Sequence, residues 1–332
     1  MKKRVVLALL IPMLILGIWG CKKKEAPPVA GQAEPVDMLT LLPQESQAVF
    51  FGNLNKLMNL KAVNEAIQKD ESYQKYQKFI QQVGIDPQKD VYYACGAIIV
   101  DPETQKQYGA GVVNLKYDPN KVLAYIKAQA EKEGSGEFRE EEYNGVTIYL
   151  VPTKENEEEG GFAFLDNSNI IVGTTQGIKA VIDVAQGKKP NCKTNANLMN
   201  LLNSVNQEAL FWGGGFFPSD KMSKIATQNP MMANLKAVQA GTISFDYSNQ
   251  TYQAEIKIFS DDEQKVKQLA DFITGLKSMG AMAAAQKPVF GELLNNINIT
   301  SEPDKVIISM ELTEDLIQRL EAESKKEEKP EK

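Results

Sequence analysis

The chain has 332 residues, 43% of them hydrophobic and 24% charged, with 37 Lys and Arg against 43 Asp and Glu and a formal net charge of −6. That balance belongs to a folded protein rather than a disordered one. It contains no histidine and three cysteines, which excludes Ser-His-Asp and Cys-His catalysis, His-ligated zinc or haem, and any zinc or iron–sulfur site needing four cysteines from one chain.

Taken in chain order, residues 1–21 read MKKRVVLALLIPMLILGIWGC. Lys2, Lys3 and Arg4 form a basic start. Val5 to Gly17 is an apolar run of signal-peptide length, short of the roughly 20 residues that span a bilayer. Ile18, Trp19, Gly20 and Cys21 then resemble the lipobox of bacterial lipoproteins, in which a small residue precedes an acylated cysteine. Trp19 departs from the small residue usual at its position. The resemblance implies a signal peptide over residues 1–20 and lipidation of Cys21; an uncleaved signal anchor is the alternative. Removing residues 1–20 takes away three positive charges and leaves 34 basic against 43 acidic residues, a net charge of −9. Bulk electrostatics then disfavour nucleic acid and anionic headgroups. Membrane attachment would run through acyl chains, at about 0.8 kcal/mol per buried CH2. Residues 21–37 comprise this cysteine and a flexible tether, KKKEAPPVAGQAEPVD, with three prolines and no apolar period. Its sixteen residues reach about 50 Å when extended. The expected location is the bacterial cell envelope, on the periplasmic or exterior side.

The body runs over residues 38–323. A first strand, Ala48 to Gly52, precedes a helical stretch over 54–83, broken near Asp70 and stopped by Gly84 and Pro87. Strands 91–100 and 107–115 flank Asp101-Pro-Glu-Thr-Gln as a hairpin. A helix over 120–133 follows, then strands 146–151, 161–166 and 169–173, and a helix from Thr175 to Ala185. After a junction near Lys188 to Cys192 the same grammar recurs: a strand at Ala209 to Gly213, a hairpin of 241–247 and 253–259, a helix opened by a Ser260/Glu263 capping box, strands 297–300 and 306–312, and a last helix over 313–322. These patterns predict an α+β fold with antiparallel sheets and helices packed on one face. They also predict two similar halves, 38–190 and 191–323, arising from an internal duplication, and a charged tail over 324–332.

Several segments are candidates for chemistry. Cys95, in an apolar strand, and Cys192, at the junction, are a possible disulfide in an oxidising compartment; two unpaired cysteines are the alternative. Phe211, Trp212, Gly213, Gly214, Gly215, Phe216 and Phe217 read as a ligand or partner contact, or as an apolar strand running into a glycine bulge. No Gly-Lys-Ser/Thr follows, so this is no phosphate loop. Met279 to Ala285, with Met222, Met231 and Met232, is rich in flexible apolar groups that suit an adaptable contact, Met282 foremost, or simple core filling. The acidic runs 137–142 and 155–159 lack a calcium-loop pattern and read as solvated hairpin tips. No catalytic residue, metal ligand or cofactor site emerges.

Leu41-Leu-Pro-Gln-Glu, Gly84-Ile-Asp-Pro87 and Tyr143-Asn-Gly-Val-Thr-Ile-Tyr149 together resemble a bacterial envelope family of unknown function over most of residues 38–320. The resemblance implies a secreted, lipid-anchored domain and assigns no catalytic residues. The expected function is therefore non-enzymatic binding or scaffolding, contacting an envelope protein or an apolar ligand. The alternative is an envelope hydrolase using carboxylates or a Ser/Lys pair, which a pocket with converging carboxylates would favour.

Overall fold

A computed structural model describes residues 37–69, 73–101, 103–133, 139–151, 159–228, 235–284 and 287–327. Among these, twelve strands and ten α-helices form a mixed α+β fold with antiparallel pairing, the class that the hairpins predict. The chain divides into two compact units. Of the described residues, one contains those up to Ser46 together with those in Phe51–Asn195, and the other contains Gln47–Phe50 and those from Ala196 onward.

The first unit carries β1 (Ser46–Asn53), α1 (Leu54–Met58), α2 (Lys61–Lys69), α3 (Tyr73–Val83), β2 (Val91–Val100), β3 (Gln107–Leu115), α4 (Pro119–Glu133), β4 (Arg139–Tyr143), β5 (Val146–Val151), β6 (Gly160–Phe164), β7 (Asn169–Thr174) and α5 (Thr175–Ala185). Its strand order is β1-β2-β3-β7-β6-β5-β4. The helical stretch expected over 54–83 is three helices. The first stops where the Asn59 amide donates to the carbonyls of Asn55 and Gln88, at 2.8 and 2.9 Å. Gly84 ends α3 with φ +75°, as the sequence predicts. Asp101 turns the β2–β3 hairpin by accepting the Glu103 and Thr104 N–H groups. Residues 139–143, read as part of a solvated tip, instead form β4, in register with β5 from Arg139–Leu150 to Tyr143–Val146. Residues 152–158, which hold most of the second acidic run, lie outside the described residues.

Val112, Val113, Asn114 and Leu115 are buried in succession, so both faces of β3 are covered. On the face of Ala110, Val112 and Ile171 lies α5, with Ile178, Val181 and Ile182 fully buried. Thr174 caps it by accepting the Gly177 N–H at 3.2 Å. On the opposite face, Phe79 and Val83 of α3 and Val122 and Tyr125 of α4 gather around Val113, Leu115 and Tyr117. The helices expected on one face are thus divided between both, because successive strand residues are apolar rather than alternating.

The second unit takes Gln47–Phe50 from β1 and adds α6 (Ala196–Leu202), β8 (Phe211–Phe216), α7 (Ser219–Gln228), β9 (Ala240–Ser248), β10 (Thr251–Phe259), α8 (Glu263–Ala283), α9 (Pro288–Asn295), β11 (Ile297–Glu302), β12 (Lys305–Thr313) and α10 (Glu314–Glu327). Its strand order is β1-β8-β9-β10-β12-β11. Asp262, not Ser260, caps α8, accepting the N–H groups of Gln264 and Lys265 at 3.0 and 3.2 Å. Val266 and Leu269 of α8 pack on Ile258, Ile299, Val306 and Ile308, while α6 covers the other face near Gly214 through Leu202. The last helix runs to Glu327, into the segment expected to be a tail; residues 328–332 lie outside the described residues.

Candidate functional site

The register places one face of the second unit's sheet under a single chemistry. Phe211 opposes Phe245, Gly213 opposes Ile243 and Gly215 opposes Gly241. Ile243 opposes Ile256 and Phe245 opposes Ala254 on the next strand. Directly opposed residues share a face, so this face is apolar across β8, β9 and β10. Helix α8 covers its far end, around Ile258 and Val306. The near end stays open: Phe50 and Phe211 are each 36% exposed, Ile256 38% and Phe217 45%. The Phe50 and Phe211 rings stack with centroids 6.2 Å apart and planes 12° from parallel.

Glycine makes this arrangement possible. A Cβ on Gly213 would lie 2.3 Å from the Phe50 ring and one on Gly215 would lie 2.3 Å from the Ala48 Cβ. The ring of Phe217 approaches Gly241 in the same way, at 3.1 Å from a Cβ there. The side chains therefore lie down on the sheet instead of standing away from it. The glycine run forms a regular strand in unbroken register with β9, not a bulge.

Of the residues singled out by sequence, Phe211, Gly213 and Gly215 belong to this face. Trp212 and Gly214 point to the other side, where Trp212 is buried, and Phe216 sits half-exposed at the strand end. Phe217, from the same segment, lies beside the face over Gly241; Phe50 and Ile256 were not foreseen. The signal for Phe50 is strand alternation, since Val49 beside it is fully buried. Met282 lies on α8, 79% exposed, so it fills no core. Met222 is buried in the cluster beneath α8; Met231, Met232 and Ala285 lie outside the described residues.

Cys21 also lies outside the described residues. Cys95 and Cys192 are buried free thiols in the first unit. Their sulfurs donate to the carbonyls of Met38 and Leu39, at 3.5 and 3.1 Å. Burial pushes both thiols up, that of Cys192 to about 12, the wrong direction for a nucleophile. Among the described residues no group of three or more Cys, Asp or Glu side chains gathers as a metal site.

Over residues 5–301 the chain matches the family described as "Protein of unknown function (DUF3352)". No curated protein matches it. Among solved structures, crystal form I of TP0453 is similar at 9% identity, covering 85% of this chain and 95% of that one with a TM-score of 0.47. Crystal form III of TP0453 is similar at 11% identity, covering 84% and 94% with a TM-score of 0.48. On the family match, which spans most of its length, this chain belongs to the DUF3352 family.

Proposed function

We propose that this protein is a lipid-anchored, non-enzymatic binding protein of the bacterial cell envelope. Its ligand is apolar and is held on the open aromatic face of the second unit. The observation that carries the reading is the set Phe50, Phe211, Phe217 and Ile256, each more than a third exposed on or beside one face of one sheet. Exposed apolar groups gathered in this way mark interaction sites. The side chains between them, at Ile243, Phe245 and Ala254, offer no hydrogen-bonding group. A hydrocarbon chain or fused ring matches that surface better than a polar peptide, which would leave its own donors unpaired.

The anchor is supported by the basic start, the apolar run and the Gly20-Cys21 pair. The tether over residues 22–37 would hold the body away from the bilayer. Internal duplication is part of the same proposal: β1-β2-β3-β7-β6 and β8-β9-β10-β12-β11 have matching order, with β4 and β5 as additions to the first.

Two measurements test the reading. Purified protein should bind the apolar fluorophore N-phenyl-1-naphthylamine, and Phe50→Ser with Phe211→Ser should weaken that binding by about tenfold or more, with an unchanged circular dichroism spectrum. Equal affinity in the variant overturns the assignment of the face. A photo-crosslinking residue at position 211 in cells reports the natural occupant: a small adduct supports the apolar ligand, and a protein adduct reassigns the face to an envelope partner.

A further inference from the structure

The two buried thiols of the first unit are 97 positions apart in sequence, yet they converge on one short turn. Residues Met38–Leu41 form a single 3-10 turn capped by Asp37. The Cys95 sulfur meets its first carbonyl and the Cys192 sulfur its second. The segment carrying Cys192 is pinned there by the backbone. Cys192 N–H donates to Leu42 at 2.7 Å, Gln44 N–H donates to Pro190 at 3.1 Å, and Pro43 bridges Asn191. Lys193 and Asp37 close the same contact as an ion pair. Cys95 is held from the other side by β2, paired with Val112. Both thiols are thus fixed by main-chain structure, against consecutive carbonyls.

We propose that Cys95 and Cys192 form a structural disulfide. Two S–H bonds break and one S–S bond forms. The two electrons and two protons pass to the disulfide of an oxidant, such as glutathione disulfide or an oxidising dithiol protein, which is reduced to two thiols. The thiols are buried in the folded unit and held mostly protonated, so exchange in the finished fold is slow. The bond therefore forms while the unit folds. It closes a loop that contains β3 to β7 and α5, tying the start of that sheet to the segment after its last helix. The pairing rests on the proposed envelope location, which supplies the oxidising compartment, and not on the proposed ligand.

The test uses the full chain carrying Cys21→Ser, which removes the third and competing thiol. The chain is reduced and denatured, then refolded in mild detergent with mixed reduced and oxidised glutathione. It is then alkylated with iodoacetamide in denaturant and mapped by peptide mass. The expected result is one intrachain link between the peptides of Cys95 and Cys192, with neither residue alkylated. The linked form should melt roughly 10 °C above the same chain after reduction. Two alkylated cysteines in refolded chain of native circular dichroism, a glutathione adduct on either, or links only between chains would overturn the pairing.

Discussion

Asp183 of α5 is buried against the turn between β4 and β5. The Tyr143 hydroxyl donates to both of its carboxylate oxygens at 3.1 Å, and the Asn144 amide donates at 2.9 Å. Asn144 and Gly145 adopt φ of +53° and +79°, which turns the hairpin tightly enough to bring both donors to one acceptor. Burial, followed by the bond to Asp183, pushes the Tyr143 phenol up. Replacing the carboxylate strands the part-buried Tyr143 hydroxyl and releases the exposed Asn144 amide, so Asp183→Ala should lower unfolding stability by about 2 kcal/mol. Urea unfolding checks it, and a loss near zero would show that water replaces the acceptor without penalty. The sequence shows Gly145 as a turn because glycine at a tight turn has a local cause. The partner of Tyr143 was not legible, since it stands forty positions away and only the tertiary fold joins them. The same distinction holds at the aromatic face: Phe211 and the glycines stand out as a run, whereas Phe50 joins them only through strand pairing.

Hairpins and long helices were readable because each carries its own period and its own stop signal. The β2–β3 and β9–β10 hairpins, α4, α5 and α8 all follow patterns of that kind. The helices α6, α7 and α9 are only seven to ten residues long, too short for an apolar repeat to rise above background. Strand β4 was obscured by Glu140, Glu141 and Glu142, which resemble a loop until their pairing with β5 is known. Capping shows a finer error. Ser260 and Glu263 have capping-box spacing, but the carboxylate of Asp262 reaches the first-turn donors and Ser260 is buried beneath them. Asp262→Ala should therefore cost about 1 kcal/mol, seen as a lower urea midpoint. Ser260→Ala, if it costs as much by losing a first-turn bond, would return the cap to Ser260.

Across the whole molecule, the lack of histidine shapes the response to pH. The Asp101, Asp262 and Glu292 carboxyls are held below their usual range, chiefly by the Thr104 N–H, the Lys265 N–H and Arg319 respectively. Their contribution is present above the ordinary carboxylate value near 4 and is lost as pH falls through the lower folded values. The phenols of Tyr117 and Tyr149 are pushed up mainly by burial. Tyr247 is pushed to about 12, chiefly by its bond to Glu314. Their contribution is complete below the usual phenol value near 10 and is lost as pH rises through the folded values. The urea midpoint should be flat from about pH 5 to about pH 9 and fall on both sides. A step between about pH 6 and 8 would contradict this account.

The division of β1 sets an order in time. Gln47–Phe50 belong with the second unit, but more than 150 residues separate β1 from its neighbour β8. A ribosome, which delivers the chain from its N-terminus, releases this strand long before Phe211–Phe216 arrive. Until then its edge and the ring of Phe50 have no cover from the second unit, the condition in which nascent chains mispair. Sharing one eight-residue strand thus lengthens the interval in which its edge is open to mispairing.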